Sequence, residues 1–190
     1  AALSIEDIYK KMAAIHPKGS WLLTILLFVI IGWSGLRVIS VFLLFQNDAR
    51  IAAGRYIQRL PHKVSIETTL YPPYIDRNTF HRVHDYPIFF PKYPGHLPPE
   101  SKITYNQAEI GLEARHPDYL IVDSFTYQRF ENPYICQSVA IECAFFQRLL
   151  RGETQYQLIA EFKYTLPCFL PQIQAEFINP IILIYRNAGK

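Results

Sequence analysis

A short histidine pattern is the first place in this sequence where metal chemistry could occur. His81, His84 and Asp85 form the pattern H-x-x-H-D. Zinc sites of the related type place two histidines four residues apart on one helix face, and a third ligand completes them. Here the spacing is three and the surrounding stretch is rich in proline, which disfavours a helix. We therefore expect solvated loop side chains, no bound metal and no cofactor.

The residue types of a hydrolase triad are also present. His116, Asp123 and Ser124 supply an imidazole, a carboxylate and a hydroxyl, but no G-x-S-x-G elbow accompanies the serine. His116 followed by Pro117 is typical of a helix end, and Asp123 followed by Ser124 is typical of a strand-end turn or a helix cap. We predict no catalytic residue in this chain.

The stretch 71–99 combines seven prolines with seven Tyr or Phe residues. Proline removes backbone donors and blocks helix, so the composition predicts a long irregular loop, which in a compact domain is often a binding loop. Its arginines can pair with nearby aspartates, or they can hold a phosphate beside aromatic rings that stack on a sugar. The candidate substrate-binding residues are Tyr71, Tyr74, Arg77 and Arg82.

Three cysteines are too few for a disulfide scaffold. Cys136 and Cys143 are seven positions apart, so on one helix they would be separated by about 10.5 Å along the axis, beyond disulfide reach. Either could pair with Cys168 in an oxidising compartment. We expect free, buried thiols instead.

A long apolar segment precedes all of these residues. Between Gly19 and Asn47 the only charged residue is Arg37, and the 18 residues from Gly19 to Leu36 carry no charge. At about 1.5 Å per residue those 18 cover about 27 Å, close to the roughly 30 Å hydrocarbon core of a bilayer. A buried core helix is the alternative, but such helices rarely run this long without polar residues. We predict a transmembrane helix over 19–46, after a short amphipathic helix or loop over 1–18.

Regular patterns follow the apolar segment. A juxtamembrane helix is predicted from Asn47 or Asp48 to Pro61, and a second helix from Val139 to its stop at Gly152. Alternation predicts half-buried strands at 64–71 and 156–164, and apolar runs predict buried strands at 119–122 and 181–185. Strands interspersed with helices predict an α/β fold with a mixed sheet over residues 47–190.

Composition and charge argue against two classes of protein. A chain that is 50% hydrophobic and 15% aromatic is not disordered. The residues from position 48 onward carry 15 Lys or Arg against 14 Asp or Glu. This nearly neutral body argues against a nucleic-acid surface, which needs clustered and unbalanced cations.

Several stretches occur in a characteristic order. The apolar span runs into Asn47-Asp48-Ala49-Arg50 and Ala53-Gly54-Arg55-Tyr56-Ile57, followed by Pro61 and the strand VSIETTLY. PDYLIVDSFTY (117–127) and FFQRLL (145–150) come next, and then Tyr156, Glu161-Phe162, Asn179-Pro180 and Ile184-Tyr185-Arg186. Together they resemble the C-terminal end of GT-C membrane glycosyltransferases, a group that includes protein mannosyltransferases and bacterial polyprenyl-phosphate sugar transferases.

This resemblance implies an integral-membrane enzyme that moves a sugar from a polyprenyl-phosphate donor to an acceptor. The chain would supply the last span and an extracytoplasmic domain over the membrane-face active site, with loop 71–99 helping to form the donor or acceptor groove. The catalytic carboxylate of such enzymes lies in an early extracytoplasmic loop, and no position here corresponds to it. The implied partners are membrane lipid, a lipid-linked sugar donor and the rest of a polytopic protein in the plasma membrane or cell envelope.

Two other functions fit the same residues. One is a non-enzymatic, single-span binding or scaffolding domain of the cell envelope. The other is a soluble hydrolase, which requires the apolar segment to fold into a core. Lysines before the span and arginines after it leave the positive-inside rule without a preferred orientation.

Overall fold

The computed structural model describes residues 10, 20–69, 71–76, 78–80, 82–84, 117–138, 140–173 and 178–189. The chain divides into two compact units. One unit contains Ala1–Leu44 and Leu166–Gln174, and the other contains Phe45–Thr165 and Ala175–Lys190. Apart from Lys10, the element predicted over 1–18 lies outside the described residues.

The apolar segment forms one continuous helix, α1 (Ser20–Gln46), as predicted. Its 27 residues correspond to about 40 Å at 1.5 Å per residue. In the described part of the chain, one helical stretch (Thr24–Ile57) is long and apolar enough to cross a membrane, with a mean hydropathy of 2.2 over its most apolar window. Only 6% of that window is buried, which is unlike the core helix of a soluble protein.

The second unit is built on a five-stranded sheet with the strand order β2-β1-β3-β5-β4. The strands are β1 (Ser65–Thr68), β2 (Arg82–His84), β3 (Tyr119–Asp123), β4 (Tyr156–Phe162) and β5 (Ile182–Asn187). β1 is parallel to β2 and β3, whereas β5 is antiparallel to β3 and β4. The predicted α/β fold with a mixed sheet is therefore confirmed.

The short strand β2 lies inside stretch 71–99, where the sequence predicted only irregular loop. This strand falls in a gap between the prolines of the stretch. No proline occurs between Pro73 and Pro87, so the backbone donors there remain able to extend the sheet next to β1.

Helices cover both faces of this sheet. They are α2 (Ala49–Ile57), α3 (Ser124–Tyr127), α4 (Pro133–Ser138) and α5 (Ala140–Arg151), with a 3₁₀ turn at Gln128–Glu131. Leu120 of β3 belongs to a core cluster with Phe146 of α5. Ile121, its neighbour in β3, belongs to a second cluster with Ala53 and Ile57 of α2. Successive strand residues thus enter opposite cores, as the period of two requires.

Strand β1 is more buried than the half-buried strand predicted from its alternation. Ile66, Glu67 and Thr68 alternate between the faces, yet their exposed fractions are 0%, 1% and 1%. Ile66 packs in a core cluster with Ala53 and Ile57 of α2, and Glu67 on the opposite face is also buried, so both faces of β1 are inside the unit. The predicted solvent-facing side was wrong for this reason.

Helix α5 ends where the sequence predicted, at Gly152. This glycine has a φ of 73°, a left-handed conformation that costs residues with a Cβ about 1–2 kcal/mol. Its N–H donates to the Leu149 carbonyl at 3.1 Å, and the Glu153 N–H donates to the Arg148 carbonyl at 2.9 Å. Both bonds together form a Schellman cap.

The expectation of free thiols is wrong for two of the three cysteines. Cys136 and Cys143 form a disulfide, with their Cα atoms 5.4 Å apart. The predicted separation assumed one helix, but the chain leaves α4 at Ser138 and begins α5 at Ala140. This break returns Cys143 to the side of Cys136, while Cys168 is unpaired and exposed.

Candidate functional site

A buried aspartate joins the carboxyl ends of the parallel strands β1 and β3. Asp123 is the last residue of β3 and the N-cap of α3, and one of its oxygens accepts a hydrogen bond from the Thr126 N–H at 2.9 Å. Its other oxygen accepts from the Thr126 hydroxyl at 2.9 Å, the Tyr71 N–H at 3.1 Å and the Thr69 hydroxyl. The residue is 1% exposed. These four hydrogen bonds join the end of β1, the start of α3 and the segment at Tyr71, which is a structural role.

Ser124, the next residue, joins the same region to the segment before β5. Its hydroxyl accepts a hydrogen bond from the Ile181 N–H at 3.0 Å, and its own N–H donates to the Ile181 carbonyl at 2.9 Å. His116 lies outside the described residues. The expected strand end and helix cap at Asp123-Ser124 are confirmed.

Helix α2 begins at a charged contact directly after α1. Asp48 caps the helix by accepting from the Arg50 N–H at 2.8 Å, and it also binds the Arg50 guanidinium at 2.5–3.0 Å. These hydrogen bonds raise the pKa of Arg50 more than partial burial lowers it. Asn179, before β5, accepts from the Ala49 N–H at 2.9 Å and donates to the Asn47 carbonyl at 3.2 Å. The start of α2 is therefore fixed to the body from two directions.

A cavity of about 460 Å³ lies between the start of α2 and the end of β4. One wall comes from residues between Gln46 and Arg55, and the other is formed by residues 161–164. We call this cavity the junction groove, because Gln46 is also the last residue of α1. Its volume is within the range typical of small-ligand sites, about 300–1,000 Å³.

The junction groove has charged walls of both signs. Arg55 and Lys163 are exposed, and no residue in the described ranges forms an ion pair or side-chain hydrogen bond with either cation. Glu161 is exposed two residues before Lys163, so both side chains leave the same side of the chain. Asp48 is already occupied by Arg50. The groove thus presents two cations and one carboxylate to a ligand.

Aromatic packing holds the two walls together. The Phe162 ring lies on the Tyr56 ring of α2, with centroids 5.5 Å apart and planes tilted by 57°. Tyr164, two residues further along, lines the groove with its side chain half-buried. Glu161 and Lys163, on either side of Phe162, belong to the same lining.

The structure separates the candidate substrate-binding residues predicted from the sequence. Tyr71 follows the carboxyl end of β1, with its ring edge-on to Phe125 at 5.4 Å, and it is 38% exposed. Tyr74 is 78% exposed. Arg82 begins β2 beside the first residue of β1, at the opposite end of this parallel pair, and Arg77 lies outside the described residues. Their shared role in binding stays a prediction.

The stretch containing Tyr74 instead contacts helix α2. Its carbonyl oxygen would lie 3.3 Å from a Cβ at Gly54, so only a small residue fits there. Asp76 accepts hydrogen bonds from the Thr79 hydroxyl at 2.8 Å and the Asn78 N–H at 3.0 Å, and these lower its pKa. This stretch therefore contacts α2 near Tyr74 and continues into a turn that is held by its own hydrogen bonds.

The junction groove was not found from the sequence. Arg55 and Lys163 are more than one hundred positions apart, and neither belongs to a chemical motif. The alternation of Glu161 with Lys163 was visible, but it indicated only an exposed strand face. Among the residues that the structure describes, no group of three His, Cys, Asp or Glu side chains could hold a metal ion.

Comparisons with known proteins add no relative to these observations. No family model, no curated protein and no solved structure matches this chain.

Proposed function

We propose that this chain is the C-terminal portion of an integral-membrane glycosyltransferase that takes its sugar from a polyprenyl-phosphate donor. In this proposal α1 crosses the membrane, and the α/β unit lies outside the cytoplasm over the active site. The proposal rests on the ordered motifs that resemble GT-C enzymes and on the chemistry of the junction groove.

The observation that carries the proposal is the pair of cations in the junction groove, Arg55 and Lys163, which form no ion pair with any residue that the structure describes. Arg55 and Lys163 supply donors for a phosphate, for which the arginine fork is well suited. Glu161 and the amide side chains of Gln46 and Asn47 line the same cavity and can bind sugar hydroxyls. This combination matches a glycosyl phosphate better than a lipid tail.

The position of the groove along the chain supports a membrane substrate. Gln46 both ends α1 and lines the groove, so the cavity begins where the apolar helix stops. A helix of about 40 Å matches the thickness of a bilayer with its headgroup regions. A phosphate bound in the groove would be joined to a lipid chain that remains in the bilayer.

The disulfide supports an extracytoplasmic location for the α/β unit. Disulfides persist in oxidising compartments and are rare in the cytosol. The Cys136–Cys143 pair lies in this unit, and Cys143 packs in its core beside Phe146. We therefore infer that α1 carries the unit to the outer face of a membrane.

No catalytic group is assigned to this chain. Asp123, a buried carboxylate at the sheet edge, is occupied by four donors. In this proposal the catalytic carboxylate comes from another region of the full-length protein, as the resemblance to GT-C enzymes implies.

The test is sugar transfer by membranes containing the full-length protein, with an undecaprenyl-phosphate sugar or a dolichyl-phosphate sugar as donor. Arg55→Gln combined with Lys163→Gln is expected to raise the KM for the donor. Arg59→Gln is the matched control, because Arg59 is exposed just after α2 but does not line the groove. An unchanged KM in the double variant would reject the role of the groove.

Failure of the wild-type protein to transfer sugar from either donor would reject the enzyme itself. That result would favour the non-enzymatic binding or scaffolding domain. Binding of undecaprenyl phosphate to the chain in nanodiscs, weakened by the double variant and unaffected by Arg59→Gln, would then define a lipid-binding domain.

A further inference from the structure

A turn that contains Pro167 and Pro171 belongs to the same compact unit as most of α1, although more than one hundred residues separate them in sequence. The turn is Leu166–Gln174, of which residues 166–173 are described. Leu166 and Leu170 are each 6% exposed, whereas Phe169 between them is 78% exposed. The turn thus buries two leucines and presents a phenylalanine outward.

Hydrogen bonds close this turn on itself. The Leu170 N–H donates to the Pro167 carbonyl at 3.0 Å. The Gln172 side-chain amide donates to the Pro167 carbonyl and to the Leu170 carbonyl, both at 3.1 Å. Pro167 and Pro171 have no N–H to satisfy. Three backbone groups of the turn are therefore satisfied locally, and the remaining ones fit the hydrated interfacial region rather than the hydrocarbon core.

Two positions on α1, in the same compact unit as the turn, are buried at one level along the helix. Ser40 is 0% exposed and Leu44 is 7% exposed, one helical turn apart, whereas Val38 and Phe42 beside them are 69% and 58% exposed. Ser40 also donates to the Leu36 carbonyl at 3.0 Å, so its hydroxyl is satisfied within the helix. From Trp21 to Ser40 the helix rises about 30 Å, one hydrocarbon thickness. The covered face thus lies where lipid tails meet headgroups.

We propose that the turn Leu166–Gln174 is a second membrane anchor that inserts Phe169 into the interfacial region of the bilayer that α1 crosses. Its partner is the lipid surface itself. The sequence carries no charge from Tyr164 to Ala175, while Lys163 and Glu176 flank this run. Burial of the exposed Phe169 ring in lipid removes apolar surface from water, which is favourable.

The proposal requires only that α1 crosses the membrane. It holds equally for a transferase and for a binding domain, because it involves no residue of the junction groove.

Cys168 provides a native probe, because the other two cysteines form the disulfide. The full chain in phosphatidylcholine nanodiscs is labelled at Cys168 with an environment-sensitive fluorophore. We expect emission at shorter wavelength than in water, quenching by lipids that carry a doxyl group near the headgroup, and weak quenching by iodide. Phe169→Ser is expected to shift the emission to longer wavelength and to increase iodide quenching.

The matched control places the label at Glu153→Cys in a Cys168→Ser background. Glu153 is half exposed in the polar turn after α5, so its label is expected to be quenched by iodide and not by doxyl lipid. Trp21 and Trp33, exposed on α1, report separately on that helix. Quenching of these tryptophans by doxyl lipid without quenching at Cys168 would overturn the second anchor alone. Quenching at neither place would overturn the anchor together with the membrane span.

Discussion

The disulfide between Cys136 and Cys143 is expected to stabilise the α/β unit measurably. It closes a loop of eight residues. In the chain-entropy description, a loop of this length contributes about 2.5 kcal/mol by restricting the unfolded chain. Reduction keeps both sulfur atoms in place, so its effect isolates the cross-link from the packing around Cys143.

The assay is hydrogen–deuterium exchange of the full chain in detergent micelles, with and without dithiothreitol. Peptides from β3 and β5 report on the core, whereas both tryptophans lie in α1 and their fluorescence does not report on it. For amides that exchange only through global unfolding, 2.5 kcal/mol corresponds to about 60-fold faster exchange. Cys136→Ala combined with Cys143→Ala should exchange at least as fast, and dithiothreitol should have no further effect.

Cys168→Ala is the matched control, because this thiol is exposed and outside the disulfide. It should leave exchange in β3 and β5 unchanged and should preserve the response to dithiothreitol. Equal exchange rates in oxidised and reduced wild-type protein would refute the reasoning. So would a single Cys136→Ala variant that retains the protection of the oxidised protein.

Two further predictions concern the stability of the same unit, measured by urea unfolding followed through tyrosine near-UV circular dichroism. Gly152→Ala should lower the free energy of unfolding by about 1 kcal/mol, because the left-handed cap of α5 disfavours a Cβ, whereas the exposed Arg151→Ala should change it little. Stability should also fall as the pH rises from about 10 to about 12: burial raises the pKa of Tyr127 and Tyr185 to about 12, so the unfolded state, with an ordinary tyrosine pKa near 10, releases protons first. Tyr185→Phe should reduce this pH dependence and Tyr74→Phe should not; equal slopes in both variants would contradict the assignment.

Local patterns predicted most of the elements because each has a short-range physical cause. The apolar period and Asp48 predicted α2, and the structure places Asp48 at its N-cap. Gly152 predicted the end of α5 because only glycine adopts a left-handed conformation there without strain. The apolar runs at 119–122 and 181–185 predicted buried strands, which became the centre of the sheet.

The errors arose where distant residues decide the outcome. Glu67 alternates with apolar neighbours, as in a half-exposed strand, but packing of more distant segments covers both faces of β1. Cys136 and Cys143 lie on two helices whose packing brings their Cα atoms to 5.4 Å, which reverses the conclusion about them. Proline content hid the strand β2, whose existence depends on its partner β1.

The sequence by itself determined that a long apolar helix precedes an α/β unit, because hydrophobic period and length are properties of neighbouring residues. Only the tertiary structure decided which side chains share a cavity. Arg55 and Lys163 face one groove because α2 packs against the end of β4, while the predicted Tyr71 and Arg82 lie at opposite ends of parallel strands. Strand order and helix packing set such distances through contacts between remote segments, and no local pattern encodes them.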